Sequence, residues 1–316
     1  MSAPRSAVYG CYGLRLATTY TFRNRLPAAE GPPDVSFEYD VEPLGARSAA
    51  DRIHPPPERP GTDITLWADG PRRVLRFADL SEFLLEPGRI RCRLRRAEHA
   101  WLLEIQLLGM VLSLYLELAG VPTLHASAVA AGDAAIAFVG AQGAGKTSMA
   151  ATFLEGGWEL LTEDLLALEE SGTGVLGHPG YPQMRMWPDQ AQHFAGNVDV
   201  LEVAHPAFTK RRVPVAPSAF SREARPLASI YVLERQPPAG SQEVQILAVP
   251  PAEAAIELVR HSFLPDAVHA AGLQPARLAA FARILGRLPV RRVRYPDGMA
   301  ALPTVRAALV DDLRSA

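Results

Sequence analysis

The spacing of hydrophobic and polar positions changes twice along the chain. Up to about residue 95, apolar and polar side chains alternate over short runs, Val8–Leu16, Val35–Tyr39, Ile64–Trp67, Arg73–Phe77, Phe83–Leu85 and Ile90–Leu94, with proline and glycine clusters at 27–33 and 55–61 between them. A two-residue period turns one face of each run inward, so this part predicts strands and loops. From about 97 to 119 the pattern becomes almost wholly apolar. Trp101–Leu118 carries only Glu104 and Glu117 as charges, and its uncharged run from Ile105 to Leu116 is 12 residues, short for a bilayer. The reading is a helix buried in protein, ended by Gly120-Val-Pro122.

Beyond that break, strand-like and helix-like segments mix. Leu124–Ala130 and Ala134–Val139 flank a Gly132-Asp133 turn and predict an antiparallel pair. A helix follows from about Ser148 and stops at Gly156-Gly157, where left-handed backbone is permitted. Trp158–Leu161, Leu165–Glu169 and a segment from Val175 read as strands, and Pro188 opens a short helix through Phe194. Strands are expected at Ile230–Glu234, Val244–Ala248 and Val290–Tyr295, and helices at about 251–260, 275–286 and 303–314. The expected organisation is a smaller β-rich domain at 1–96, a buried connecting helix at 97–119, and an α/β domain with a mixed sheet at 120–316.

Composition narrows the partners. The net charge of −2 and pI near 6.5 speak against a nucleic-acid or anionic-membrane surface. Cys11 and Cys92 are the only cysteines, too few for a disulfide framework, and the first residues lack the apolar core of a signal peptide, so a cytoplasmic protein is expected. The arginines at 89, 91, 93, 95 and 96 predict a charged strand face, either solvated or turned to an acidic or peptide partner. His54, beside three prolines, and His178 read as loop and turn residues.

The chemistry concentrates in Gly140-Ala-Gln-Gly-Ala-Gly-Lys146-Thr147, which lies between a strand and a helix, the context a phosphate-binding loop requires. Of 32 basic residues only Lys146 and Lys210 are lysines. A chain that otherwise uses arginine keeps a compact ammonium where one must reach between closely spaced amides. Gly140, Ala141, Gln142, Gly143, Ala144, Gly145, Lys146, Thr147 and Ser148 are therefore the candidate binding residues for ATP, with Thr147 offering a hydroxyl to Mg²⁺. Glu163 and Asp164 follow at a strand junction, where one carboxylate can hold the metal and another accept a hydroxyl proton. Asp164 joins Thr147 as the expected metal ligand. Arg185, Lys210 and Arg211 are further candidates for phosphate or substrate.

His125 in Leu-His-Ala-Ser, the glycine-rich loop fifteen residues on, and Glu163-Asp164 together resemble the catalytic domain of HPr kinase/phosphorylase over roughly 120–235. The resemblance implies a serine kinase whose P-loop core is related to that of phosphoenolpyruvate carboxykinase, with His125 near the transferred group and Lys146 and the carboxylates as catalytic residues. Tyr9-Gly10 and Pro179-Gly-Tyr-Pro182 make the whole chain more similar to HPr-kinase-like proteins found beside peptide-maturation genes, lasso-peptide kinases among them. Two departures matter. Glu163 stands where the family usually has Asp, leaving open which carboxylate is the base. The family's glycine-rich signature with its metal-binding Glu is not found, so little phosphorylase activity is expected. The expected function is Mg²⁺-dependent transfer from ATP to a serine or threonine hydroxyl of a peptide or protein. A small-molecule alcohol kinase and an ATP-binding or hydrolysing regulatory module are the alternatives. Family members often form hexamers, so a homo-oligomer is possible.

Overall fold

The fold, taken from a computed structural model, is described for residues 6–39, 51–54, 64–78, 80–95, 100–172, 174–205, 208–237 and 243–315. The proline cluster expected at 55–61, Arg96 and the side chain of His54 lie outside the described residues. The protein is mixed α/β with several sheets, and it divides into two compact units, Met1–Gly120 with Phe263–Arg277, and Val121–Ser262 with Leu278–Ala316.

The first unit holds an eight-stranded sheet in the order Ala7–Cys11, Leu14–Thr18, Val35–Tyr39, Arg89–Leu94, Ser81–Glu86, Arg72–Phe77, Ile64–Asp69, Arg52–His54. Val35–Tyr39 runs parallel to both of its neighbours and the other pairs are antiparallel. Alternation works as expected, since Leu16, Val35, Phe37, Ile90 and Cys92 are all buried. The single strand expected over Val8–Leu16 is instead a hairpin. Tyr12 and Gly13 both take left-handed backbone, with φ of 55° and 81°, which is how a two-residue turn matches the twist of its strands. A tyrosine in that place carries no turn signature. The arginine row is largely met within the sheet: Arg89 Nη2 lies 2.6 Å from Glu38, Arg91 Nη2 3.2 Å from Glu86, and Arg95 Nη1 3.7 Å from Glu82. Only the Arg89–Glu38 pair is exposed on both sides and adds little stability, yet all three offset the charge an acidic partner would read.

The apolar stretch forms one helical rod, α-helical over Ala100–Gln106 and Leu112–Leu118 and widened to a π-helix over Leu107–Val111. By length and composition alone it could cross a membrane, but 72% of its apolar window is buried inside the protein. Its two carboxylates are bound internally. Glu104 accepts from the amides of Arg23 and Asn24 at 2.6 and 2.9 Å and from Asn24 Nδ2 at 2.5 Å. Glu117 accepts from Arg277 Nε at 3.1 Å, both side chains being buried. Glu117→Ala takes this carboxylate away from a buried guanidinium, so a loss of about 3–5 kcal/mol is expected. Urea denaturation measures it, and a change below about 1 kcal/mol would remove the pair from the stabilising core.

The second unit is built on three parallel strands, Ala134–Val139, Arg225–Gln236 and Val290–Pro296. Ser127–Ala131 and then Glu159–Thr162 extend the sheet antiparallel on one side, and Gln245–Ala248 closes the other. The first residues of Arg225–Gln236 pair with Gly174–Gly177, which leads through Leu166–Ser171 to Thr123–Leu124. A small sheet of Gln183–Met186, Phe208–Pro214 and Val203–His205 completes the unit.

Ala134–Val139 is apolar without interruption because helices cover both faces of the sheet. Ala135, Ala137 and Val139 pack with Leu258, Phe281 and Ile284 on one side, while Ile136 and Phe138 pack with Met149, Phe153, Val305 and Leu309 on the other. The expected strand Leu124–Ala130 is broken. At the break the amide of His125 donates to the His261 carbonyl at 2.7 Å and that of Ala126 to the Asp164 carbonyl at 3.2 Å. That detour lifts His125 out of the ladder and sets it beside Asp164.

Candidate functional site

The C-terminal ends of the three parallel strands meet at one edge of the sheet, where open α/β folds place ligands. Ala134–Val139 delivers the loop Gly140–Gly145, and Lys146–Glu155 follows as a helix whose N-cap, Gly145, has φ of 97°. The glycines are needed for different reasons. A Cβ on Gly140 would stand 2.9 Å from both the Ala144 side chain and the Leu233 carbonyl, and one on Gly145 would strike the Tyr295 hydroxyl. Gly143 faces open space but has φ of 83°, so it is required by backbone conformation alone. Tyr295 braces the loop by donating its hydroxyl to the Ala144 carbonyl. Burial pushes that phenol up to about 12, so it stays a donor.

Lys146 is buried and folds back on its own loop, donating to the Gly140 carbonyl at 2.8 Å. Burial lowers its pKa, against the pull of Asp164 and Glu163. Thr147 donates its hydroxyl to Glu163 Oε1 at 3.0 Å, and Ser148 accepts from Gln190 Nε2 at 2.8 Å.

Glu163 and Asp164 sit in the turn between Glu159–Thr162 and Leu166–Ser171, closed by the Thr162 hydroxyl donating to the Leu165 carbonyl at 2.6 Å. Asp164 has φ of 87°, an uncommon and strained setting for a residue with a Cβ. Its neighbours hold it there. His125 Nδ1 lies 3.0 Å from the Asp164 carbonyl and 3.2 Å from its carboxylate, and Arg185 Nη2 is paired with Asp164 Oδ2 while its Nε is 3.6 Å from Glu163.

The two carboxylates are thereby driven apart. Burial raises Glu163, Arg185 opposes it, and the charge of Asp164 adds to the rise. Burial acts on Asp164 in the same sense, but Arg185 and His125 outweigh it and hold the carboxyl well below the usual range. The consequences for stability have opposite signs. Asp164 stabilises the fold above its unfolded pKa and ceases to as pH falls through the lower folded value. Asp164→Asn is therefore expected to cost about 2–3 kcal/mol at neutral pH by removing the nearer of the two carboxylates that pair with Arg185. Ionised Glu163 opposes folding at neutral pH, so Glu163→Gln should leave the thermal midpoint unchanged or raise it. Equal losses in the two variants, measured by thermal unfolding, would contradict this division.

These groups enclose a cavity of about 310 Å³. Of the residues expected from sequence, Gln142, Gly143, Gly145, Lys146, Thr147 and Ser148 line it, with His125, Glu163, Asp164, Arg185 and Lys210. Gly140, Ala141 and Ala144 belong to the loop but do not line the cavity. Lys210 lies 5.2 Å from the centre of the Trp187 ring, also at the cavity. Arg211 does not line it: neighbouring residues of Phe208–Pro214 point to opposite faces, and Lys210 takes the inner one. His178 stands apart from the cavity, 2.6 Å from Glu169.

Asp189, Gln190 and Arg235 line the cavity without having been expected. Asp189 and Gln190 belong to the first turn of the helix Pro188–Ala195, which the sequence announces as a helix start and not as a site. Arg235 ends a parallel strand, so strand topology was the signal that could have found it. Among the described residues no group of three or more His, Cys, Asp or Glu side chains is arranged to hold a metal by itself.

No family model and no curated protein matches the chain. Among solved structures it is similar to that of the Hpr(Ser) kinase/phosphatase from Coxiella burnetii, with 13% identity over 61% of this chain and 95% of that one, and a TM-score of 0.33. The likeness is distant, and the functional reading stands on the geometry of the cavity instead.

Proposed function

We propose that the protein is a phosphotransferase that moves the terminal phosphoryl group of ATP, with Mg²⁺, to an alcohol, the serine or threonine hydroxyl of a peptide or protein. The observation that carries the reading is the hydrogen bond from Thr147 to Glu163, which puts an acidic pair against the first turn of the helix that closes a glycine-rich loop. Loop amides and the helix N-terminus favour an anion there, and the glycines leave it room. The hydroxyl oxygen of Thr147 suits Mg²⁺, which takes few protein ligands and usually completes its shell with phosphate oxygens and water. When bound, that ion would offset phosphate charge.

Each residue then has a task. Lys146 leaves the Gly140 carbonyl to hold the terminal phosphates, at little cost because its ammonium is already desolvated. Arg185 and His125 keep Asp164 ionised and fix the turn. Glu163, whose pKa is raised, is the better proton acceptor of the pair and takes the hydroxyl proton as the acceptor attacks. Positioning and charge account for the rest.

The test is incubation with γ-labelled ATP, Mg²⁺ and a pool of serine- and threonine-containing peptides. Label on peptide, lost when Mg²⁺ is chelated, is the expected result. ADP release at one rate with or without peptides, and no labelled peptide, would contradict it and favour a hydrolysing module.

A further inference from the structure

A second hollow of about 180 Å³ lies next to the first and shares with it Gly145, Ser148, Asp189, Gln190 and Arg235. Its far wall follows the strand Val290–Pro296 and consists of Asp297, Gly298, Met299 and Leu302. The loop strand, the strand bearing Arg235 and the strand before Asp297 are the three parallel ones, so the hollow also sits at their C-terminal ends.

The first turn of the helix gives the polyphosphate a direction. Thr147 and Ser148 are successive residues, about 100° apart around the axis. Thr147 turns to Glu163, whereas Ser148 turns to Gln190, which lines both hollows. The reacting end belongs with the carboxylates. Donor and acceptor oxygens lie roughly in line across a transferring phosphoryl group, so the rest of the donor leaves over Ser148, away from His125 and the acceptor. That path leads into the second hollow.

Its chemistry suits a nucleoside. Met299 and Leu302 give an apolar wall, and Asp189 and Asp297 present carboxylates. Asp297 is held in place by Arg235 at 3.1 Å and by the Gly298 amide at 2.7 Å. We infer that this hollow is the nucleoside subsite, with the base against Met299 and Leu302 and the ribose hydroxyls on Asp189 and Asp297. The inference rests on the nucleotide reading above and adds the residues that distinguish a nucleotide from a bare polyphosphate.

The experiment compares binding of Mg²⁺·ATP and Mg²⁺·tripolyphosphate, by calorimetry, to the wild type and to Met299→Trp, which fills the hollow. ATP affinity should fall about tenfold or more, toward that of tripolyphosphate, while tripolyphosphate affinity stays unchanged. Unchanged ATP affinity in the filled variant would overturn the subsite and leave the phosphate cradle standing. Failure of the wild type to bind either ligand would overturn the cradle, and the subsite with it. Should Met299→Trp lose both ligands through misfolding, Asp189→Asn and Asp297→Asn combined decide the matter. The wild type should prefer ATP over 2′,3′-dideoxy-ATP by about tenfold, as expected for hydrogen bonds to charged groups, and the double variant should lose that preference. A wild type indifferent to the ribose hydroxyls, or a double variant that still discriminates, would overturn the assignment.

Discussion

Lys146→Ala is expected to lower phosphoryl transfer by about 10²–10³-fold, the usual cost of deleting one preorganised charge donor from a closed site. The ammonium is buried beside two carboxylates and bonded to the Gly140 carbonyl, so the loop is built around it. Lys146→Arg should be nearly as inactive. A planar guanidinium cannot enter the space that a single ammonium occupies between the loop carbonyls. Steady-state kinetics with saturating ATP, together with a thermal midpoint to establish folding, measures both. A folded Lys146→Ala protein with wild-type turnover would end the assignment of the loop.

The second large effect is on the chemical step. Glu163→Gln removes the proposed proton acceptor while keeping side-chain length and the contact with Thr147, and kcat is expected to fall about 10²–10⁴-fold with ATP affinity changed only a few-fold. The pH profile carries the sign. The base must be ionised, so wild-type kcat should fall as pH drops through the Glu163 pKa, and burial moves that limb above the ordinary glutamate range. Glu163→Asp should retain part of the activity. If raising Mg²⁺ restores Glu163→Gln to the wild-type rate, the residue holds the metal and the proton goes elsewhere.

Much of this site was legible in the sequence, because it is local. The loop, its lysine and the acidic pair each occupy a few consecutive residues whose spacing relates directly to a strand, a turn and a helix. The helix Pro251–Arg260 and the strand Val290–Pro296 were legible for a similar reason, since the local spacing of apolar residues announced them. What could not be read depends on residues far apart in the chain. Tyr295 braces a loop some 150 positions earlier, and Arg235 and Asp297 become neighbours only because two strands run parallel. The break at His125 is invisible in an alternating Leu-His-Ala-Ser run, because its cause is a pair of backbone carbonyls, at positions 261 and 164. The opposite shifts of the Glu163 and Asp164 carboxyls likewise depend on burial and on the partners His125 and Arg185, the latter offered by the sequence as one arginine among many.

Asp164 was expected to face the metal with Thr147. Its carboxylate is paired with Arg185 and His125, and the threonine hydroxyl donates to Glu163. Asp164 carries this arrangement on left-handed backbone, which aspartate adopts only occasionally and which the sequence does not announce.

A crystal structure with Mg²⁺ and a non-hydrolysable ATP analogue tests the central claim most directly. It should place the β- and γ-phosphates on the amides of residues 143–147, with Lys146 turned away from the Gly140 carbonyl and the γ-phosphate facing Glu163. Nucleotide bound elsewhere, or a γ-phosphate pointing away from residues 163 and 164, would contradict the account.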